Sequence, residues 1–240
     1  MRIGILETGR TPPDLIGAYG SYADMIRGLL TSADPGLEFV VYPVLEDQFP
    51  DSIDACDGWV ITGSRHGVYE NLPWMLRLQD LLRTLVAERR PVVGICFGHQ
   101  ILAQALGGRV EKSAKGWGVG IHEYSLTAPP QALADAPPVL KLSAMHQDQV
   151  VEVPPSATVV ASSDFCPNAV LVYGDTALSF QGHPEFGVPF EADLVALRRG
   201  LIPEPLADAA LTDLKSEAAK TDAAVAADWM LRFLKRQQAA

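Results

Sequence analysis

Cysteine is scarce in this 240-residue chain, and Cys56, Cys96 and Cys166 make no Cys-x-x-C pair and show no zinc-ligand spacing. An odd, sparse set of thiols suits a reducing compartment, so a cytoplasmic location and no metal are expected. Positive charge is short as well. Nineteen Lys and Arg stand against 29 Asp and Glu, a net charge of -10, which argues against nucleic acid or an anionic membrane surface as partner. Long hydrophobic runs are missing, and none approaches the roughly 18 residues that a bilayer span requires. Met1-Arg2-Ile3-Gly4-Ile5-Leu6 already reads as a strand, so no signal peptide is expected. The chain also lacks a P-loop or other Gly-rich nucleotide motif. ATP chemistry is therefore left to some other protein, and no cofactor is expected.

What is present suffices for a full core. Hydrophobic residues make up 48% of the chain, and a chain of this size most simply makes one domain. The expectation is a single domain over 1–240, with 190–240 a helical C-terminal extension packed on it. In the first half, residues 2–6, 38–44, 59–62 and 92–95 read as strands. Residues 22–30 and 72–88 carry helical periodicity, the latter through Leu76, Leu81, Leu82, Leu85 and Val86. Such alternation marks an α/β protein with a mostly parallel central sheet covered on both faces. Residues 8–17 read as a Gly/Pro-rich loop. After Gly108 come short strands at 109–112, 119–124, 139–144, 158–163, 169–173 and 177–180, expected to be antiparallel additions to the sheet edge. Residues 127–138 read as a proline-rich loop. Helix returns from 190, broken at Gly200, Pro203 and Pro205; 207–227 is alanine-rich and helix-favouring, and 223–236 is a final amphipathic helix.

The most informative stretch is Arg90-Pro91-Val92-Val93-Gly94-Ile95-Cys96-Phe97-Gly98-His99-Gln100. A buried strand runs into a helix at Cys96, with glycine two residues to either side, which is the pattern of a nucleophile elbow. Side chains at Gly94 and Gly98 would strike the adjoining strand and helix, and the turn forces Cys96 into strained backbone angles. At a helix N-terminus the dipole and free N–H groups favour a thiolate. A lone cysteine is more often a core residue; the framing glycines favour the elbow.

A reactive thiol needs a base, and the base needs an acceptor that fixes its tautomer. His99 shares the helix of Cys96 and points along it. His122 sits inside a strand, and His66 and His146 sit in loops. His183 follows a strand in Gln181-Gly182-His183-Pro184-Glu185-Phe186, where Pro184 stiffens the turn and Glu185 projects to the same side as the imidazole. His-Pro-Glu alone is as easily structural; paired with the elbow it gains specificity.

Together these motifs resemble the class I (triad) glutamine amidotransferases, and in particular the GMP-synthase-glutaminase-like single-domain members of the γ-glutamyl peptidase kind. Two further segments extend the likeness: Trp59-Val60-Ile61-Thr62-Gly63-Ser64, similar to that family's oxyanion loop, and Met145-His146-Gln147-Asp148-Gln149-Val150, similar to the segment beside its glutamine pocket. The resemblance implies a flavodoxin-like fold. It implies Cys96 as nucleophile, His183 as base and Glu185 as its orienting acid. Oxyanion donors would come from Gly63, Ser64 and Phe97, and substrate contacts from Gln100, His146 and Gln147. The implied reaction is hydrolysis of glutamine, or of another γ-glutamyl amide, through a glutamyl thioester. Two other readings stay open: a glutaminase subunit that delivers ammonia to a separate synthetase, and a silent regulatory homologue. The family's usual Gly-Gly-Pro is here Gly63-Ser64-Arg65, and Arg65 either meets a substrate carboxylate or is a solvated loop charge. Tyr69 and Glu70 read either as a lid or as ordinary exposed residues.

Overall fold

The computed structural model describes residues 1–127, 133 and 136–235. Its spine is a run of parallel strands. β1 (Arg2–Leu6) pairs with β2 (Glu38–Tyr42) on one side and β3 (Gly58–Ile61) on the other. β3 pairs with β4 (Val92–Ile95), and β4 with β11 (Ala177–Phe180). Antiparallel strands then widen the sheet from β11 through β10 (Val170–Tyr173) and β9 (Ala157–Ser162) to β6 (Gly118–Leu126) and β7 (Val139–His146). The parallel part has the order β2-β1-β3-β4-β11, the flavodoxin-like arrangement.

Alternation along the strands sorts side chains between two cores. Ile3, Ile5, Val60, Val93 and Ile95 face a layer closed by α2 (Tyr22–Ala33) and α7 (Ala223–Lys235). Leu6, Trp59, Ile61 and Val92 face α3 (Pro73–Ala87) and α4 (Phe97–Ala105). α2 starts at a capping box in which Ser21 and Asp24 satisfy each other's backbone N–H groups. A third apolar cluster joins α5 (Val188–Leu197) and α6 (Glu204–Leu214) to β6 and β7.

Several sequence expectations are corrected. Within the stretch read as loop 8–17, Pro13 opens helix α1 (Pro13–Tyr19); proline at a first helical position lacks only an N–H that would go unused. Of the α3 residues read as apolar, Leu82 and Leu85 are buried and Leu81 and Val86 pack against the core, while Leu76 is exposed; Met75, Leu78 and Gln79 complete the buried face. β5 (Arg109–Lys112) does not join the main sheet edge. It pairs with β8 (Asp148–Glu152), a strand the sequence did not suggest, in a separate two-stranded ribbon. Pro205 sits in the first turn of α6 and does not break it, and the alanine-rich 207–227 stretch is two helices with a non-helical connection. Most of the 127–138 loop and Arg236 lie outside the described residues. No described helix is long and apolar enough to cross a membrane.

Candidate active site

Register alone brings three strand ends to one place. Ile61 of β3 pairs with Gly94 of β4, and Phe180 of β11 pairs with Ile95. The chain leaving each strand therefore emerges beside Cys96, at the carboxyl edge where parallel sheets hold their ligands. The Cys96 N–H donates to Phe180 O at 2.8 Å, tying the elbow to the strand that carries His183. Cys96 itself has φ 52° and ψ -102°, a left-handed conformation that a non-glycine residue adopts only under constraint.

The two glycines supply that constraint. A Cβ on Gly94 would lie 2.6 Å from Gly98 O, and one on Gly98 would lie 2.5 Å from Ile61 O. Both obstacles are backbone, so the strand-to-helix turn closes only without side chains there.

His183 is fixed from two directions. Its N–H donates to Ser143 O at 2.8 Å, and the Ser143 hydroxyl donates to Phe186 O at 2.9 Å, so β7 clasps the whole His-Pro-Glu-Phe turn. Glu185 Oε1 lies 2.8 Å from Nδ1, which leaves Nε2 free of that contact. All three side chains are buried. Burial pushes the His183 imidazole down, but the Glu185 carboxylate and then Cys96 outweigh it and raise it to about 10. Gly63 sits against both groups: a Cβ there would be 2.9 Å from His183 Cε1 and 3.8 Å from Cys96 Cβ. The Gly63 turn is pinned by Thr8, whose N–H donates to Thr62 Oγ1 (2.9 Å) and whose hydroxyl donates to Thr62 O (2.9 Å). Phe97 is the first residue of α4, where backbone N–H groups have no acceptor within the helix.

A cavity of about 780 Å³ opens over Cys96 and is lined by Ser64, Gln100, His146 and Gln147 among others. Gln100 does not extend freely into it: Nε2 donates to Asp148 O at 2.9 Å and to Gln181 Oε1 at 3.2 Å. His146 is not a loop residue. It ends β7, is buried, and is pushed down to about 3 by burial and by neighbouring His122, so it is neutral. His99 is equally buried and likewise held at about 3, with Nδ1 2.8 Å from Ser179 Oγ. Arg65 and Tyr69 are exposed at the mouth, and the Tyr69 hydroxyl donates to Asp148 Oδ1 at 3.2 Å. Among the described residues no group of three or more His, Cys, Asp or Glu is arranged to hold a metal.

Two buried residues beside the Cys96–His183 pair, one toward each partner, escaped the sequence reading. Gln181, fully buried, donates from Nε2 toward Cys96 Sγ at 3.8 Å; it lies inside the quoted motif, whose His and Glu drew the attention. Glu191 of α5 is fully buried with Oε1 accepting from the Gly120 N–H at 3.2 Å. Burial holds its carboxyl up at about 8, against the pull of His183, that N–H and Arg198. In the unfolded chain this group ionises near 4.5, so native stability falls as pH rises from there to about 8. Glu191→Gln should therefore melt progressively higher than wild type between pH 5 and 8, with the gap level beyond; thermal melts across that range check it, and a constant gap would refute it.

The profile of the family described as glutamine amidotransferase class-I matches residues 15–198, and the chain belongs to that family. Gamma-glutamyl peptidase 3 of Arabidopsis thaliana is 31% identical over 208 residues, covering 82% of this chain and 83% of that protein. One of the subunits of the glutamine-hydrolyzing GMP synthase of Halobacterium salinarum is 32% identical over 149 residues, which is 61% of this chain and 75% of that relative. A glutamine amidotransferase structure from Thermotoga maritima has the same fold, with a TM-score of 0.75 over all of this chain and 99% of that one, at 19% identity. At the general level, family and relatives make this an amide-hydrolysing enzyme of the glutamine amidotransferase kind.

Proposed function

We propose that the chain hydrolyses the γ-carboxamide of glutamine, or a γ-glutamyl amide, through a glutamyl thioester on Cys96. The observation that carries this is the buried line Glu185–His183–Cys96, with its 2.8 Å carboxylate–imidazole contact. With its imidazole raised to about 10, His183 already holds the thiol proton when sulfur attacks the amide carbon, and it gives that proton to the nitrogen as the C–N bond breaks and ammonia or amine leaves. Water then attacks the thioester; His183 takes its proton and the C–S bond breaks, freeing glutamate and the thiol. Backbone N–H groups of Phe97 and of the Gly63–Ser64 turn would hold the oxyanion, a role whose loss costs roughly 10²–10³ in rate per donor. Gln100, His146 and Gln147 would face the glutamyl half, with Gln100 acting by fixing the Asp148 backbone to which it is bonded.

Likeness to part of a GMP synthase supports one alternative, delivery of ammonia to a separate synthetase. The intact line of three side chains speaks against a silent homologue. Contacts of α7 with β3, β4 and β11 support treating 1–240 as one domain with 190–240 packed on it.

The test is release of glutamate and ammonia from glutamine and γ-glutamyl amides, with acid-quenched peptide mapping for a glutamyl adduct on Cys96. Turnover with the adduct supports the hydrolase; turnover only when other cell proteins are added supports delivery to a synthetase; an adduct elsewhere sinks the mechanism.

The His183–Glu185 pair also predicts a pH dependence of stability. The folded imidazole is raised above the ordinary value near 6.5, so its stabilisation is complete below that pH and is lost as pH climbs toward about 10. Glu185→Gln removes the leading favourable partner, so its melting temperature should decline less steeply than wild type between pH 6.5 and 10. Parallel slopes would show that the pair contributes nothing.

A further inference from the structure

The cavity is larger than its proposed glutamyl substrate needs. About 780 Å³ falls in the upper part of the range of roughly 300–1,000 Å³ that encloses whole drug-sized molecules. Its walls have different characters. On one side stand Gln100 of α4, Asp148 of β8 and Tyr69, in elements that contact one another. On the other stand Pro13 of α1, Trp117, Met145, and Arg198 and Leu201 just past α5; α1 contacts α5, and Trp117 and Met145 join the apolar cluster of α5 and α6. Cys96 lines the same cavity.

Charge distinguishes one residue on the second wall. Of the six Asp, Glu, Lys and Arg residues that line the cavity, Arg10, Glu70 and Asp148 are engaged, and of the other three Arg65 and Lys112 are exposed. Arg10 pairs with Glu7 and Glu46, Glu70 accepts from the Gly67 N–H and meets His66, and Asp148 accepts from Tyr69. Arg198 is half-buried, and among the described residues its guanidinium makes no ion pair or side-chain hydrogen bond, only a through-space pull on Glu191 and Tyr22. A guanidinium held beside apolar surface is suited to a planar carboxylate.

Building on the hydrolase reading, we propose that Arg198 and the apolar wall around it form a leaving-group subsite, selecting γ-glutamyl amides whose amine half is an apolar amino acid with a free α-carboxylate. The glutamyl half lies against the Gln100 wall, the scissile bond over Cys96, and the departing amino acid against Trp117 and Leu201 with its carboxylate on Arg198. Free glutamine leaves this half of the cavity to water. The preference is a property of this chain's second wall and is separate from the chemistry at sulfur.

The test separates recognition from turnover. Calorimetry on the Cys96→Ala protein compares γ-glutamyl-leucine with γ-glutamyl-leucinamide, which differ only in the carboxylate. Tighter binding of the acid by about 10- to 100-fold is expected, since a charge-assisted contact in a partly closed site is of that order. Adding Arg198→Gln should bring the two ligands to within about threefold of each other. Equal binding by the single variant, a preference that survives Arg198→Gln, or binding of neither ligand overturns the subsite. Glutamate release by the wild-type protein from glutamine and from both dipeptides runs alongside. If none is hydrolysed while the acid is still preferred in binding, the hydrolase reading fails and the subsite stands.

Discussion

Cys96→Ala should lower kcat for amide hydrolysis by at least about 10⁴-fold, because removing the nucleophile of a coupled catalytic unit leaves only binding and oxyanion contacts to act. The substitution deletes one sulfur from a buried position and keeps the backbone constraint imposed by Gly94 and Gly98, so the melting temperature should change by only a few degrees. That combination is diagnostic: activity vanishes from a protein that remains folded. Steady-state glutamate release and a thermal melt of the same preparation check it. Residual activity within tenfold of wild type would mean that the thiol is a core residue after all and that the proposed chemistry is wrong.

Gly98→Ala should act in the opposite order, on stability first. The added methyl would sit 2.5 Å from Ile61 O and 2.8 Å from Ile61 Cβ, in a close-packed interior where neither strand nor helix can withdraw cheaply. Overpacking against backbone is expected to cost about 2–4 kcal/mol, or roughly 5–15 °C in melting temperature for a chain of this size. Moving Ile61 also shifts the Gly63 turn that follows it, so any folded fraction should lose activity as well. Gly17, beside which an added Cβ meets nothing, is the control: Gly17→Ala in α1 should be neutral or slightly stabilising. Equal melts for the two variants would show that the turn is looser than its geometry indicates.

How far the sequence revealed this site depends on whether a feature is local. The elbow was legible because its demands fall within five residues, glycine-x-cysteine-x-glycine, and nothing elsewhere alters them. The His183–Glu185 contact was legible for the same reason, two residues apart around a proline. The mostly parallel sheet followed from alternation, but the strand order did not, and 177–180, read as an antiparallel addition at the edge, is β11, the parallel neighbour of β4. What was hidden depended on partners far along the chain. β8 is recognisable only through its pairing with β5. Glu191 looks like any helix-surface glutamate until α5 packs on β6 and buries it. Arg198 reads as one of many arginines until the end of α5 is placed beside the cavity. Pro12-Pro13 misled more directly, since proline both ends and begins helices and only the following periodicity, short in α1, decides which.

The parallel register of β11 against β4 has a consequence for the life of the molecule before it is complete. As synthesis proceeds from the N-terminus, the sulfur emerges with β4 before the residue that the proposed mechanism assigns as its base. Only when β11 slides in beside β4 does His183 arrive. On the proposed mechanism, a chain made only as far as β10 therefore carries the nucleophile without its base, and β11, the last strand in sequence, brings the two together.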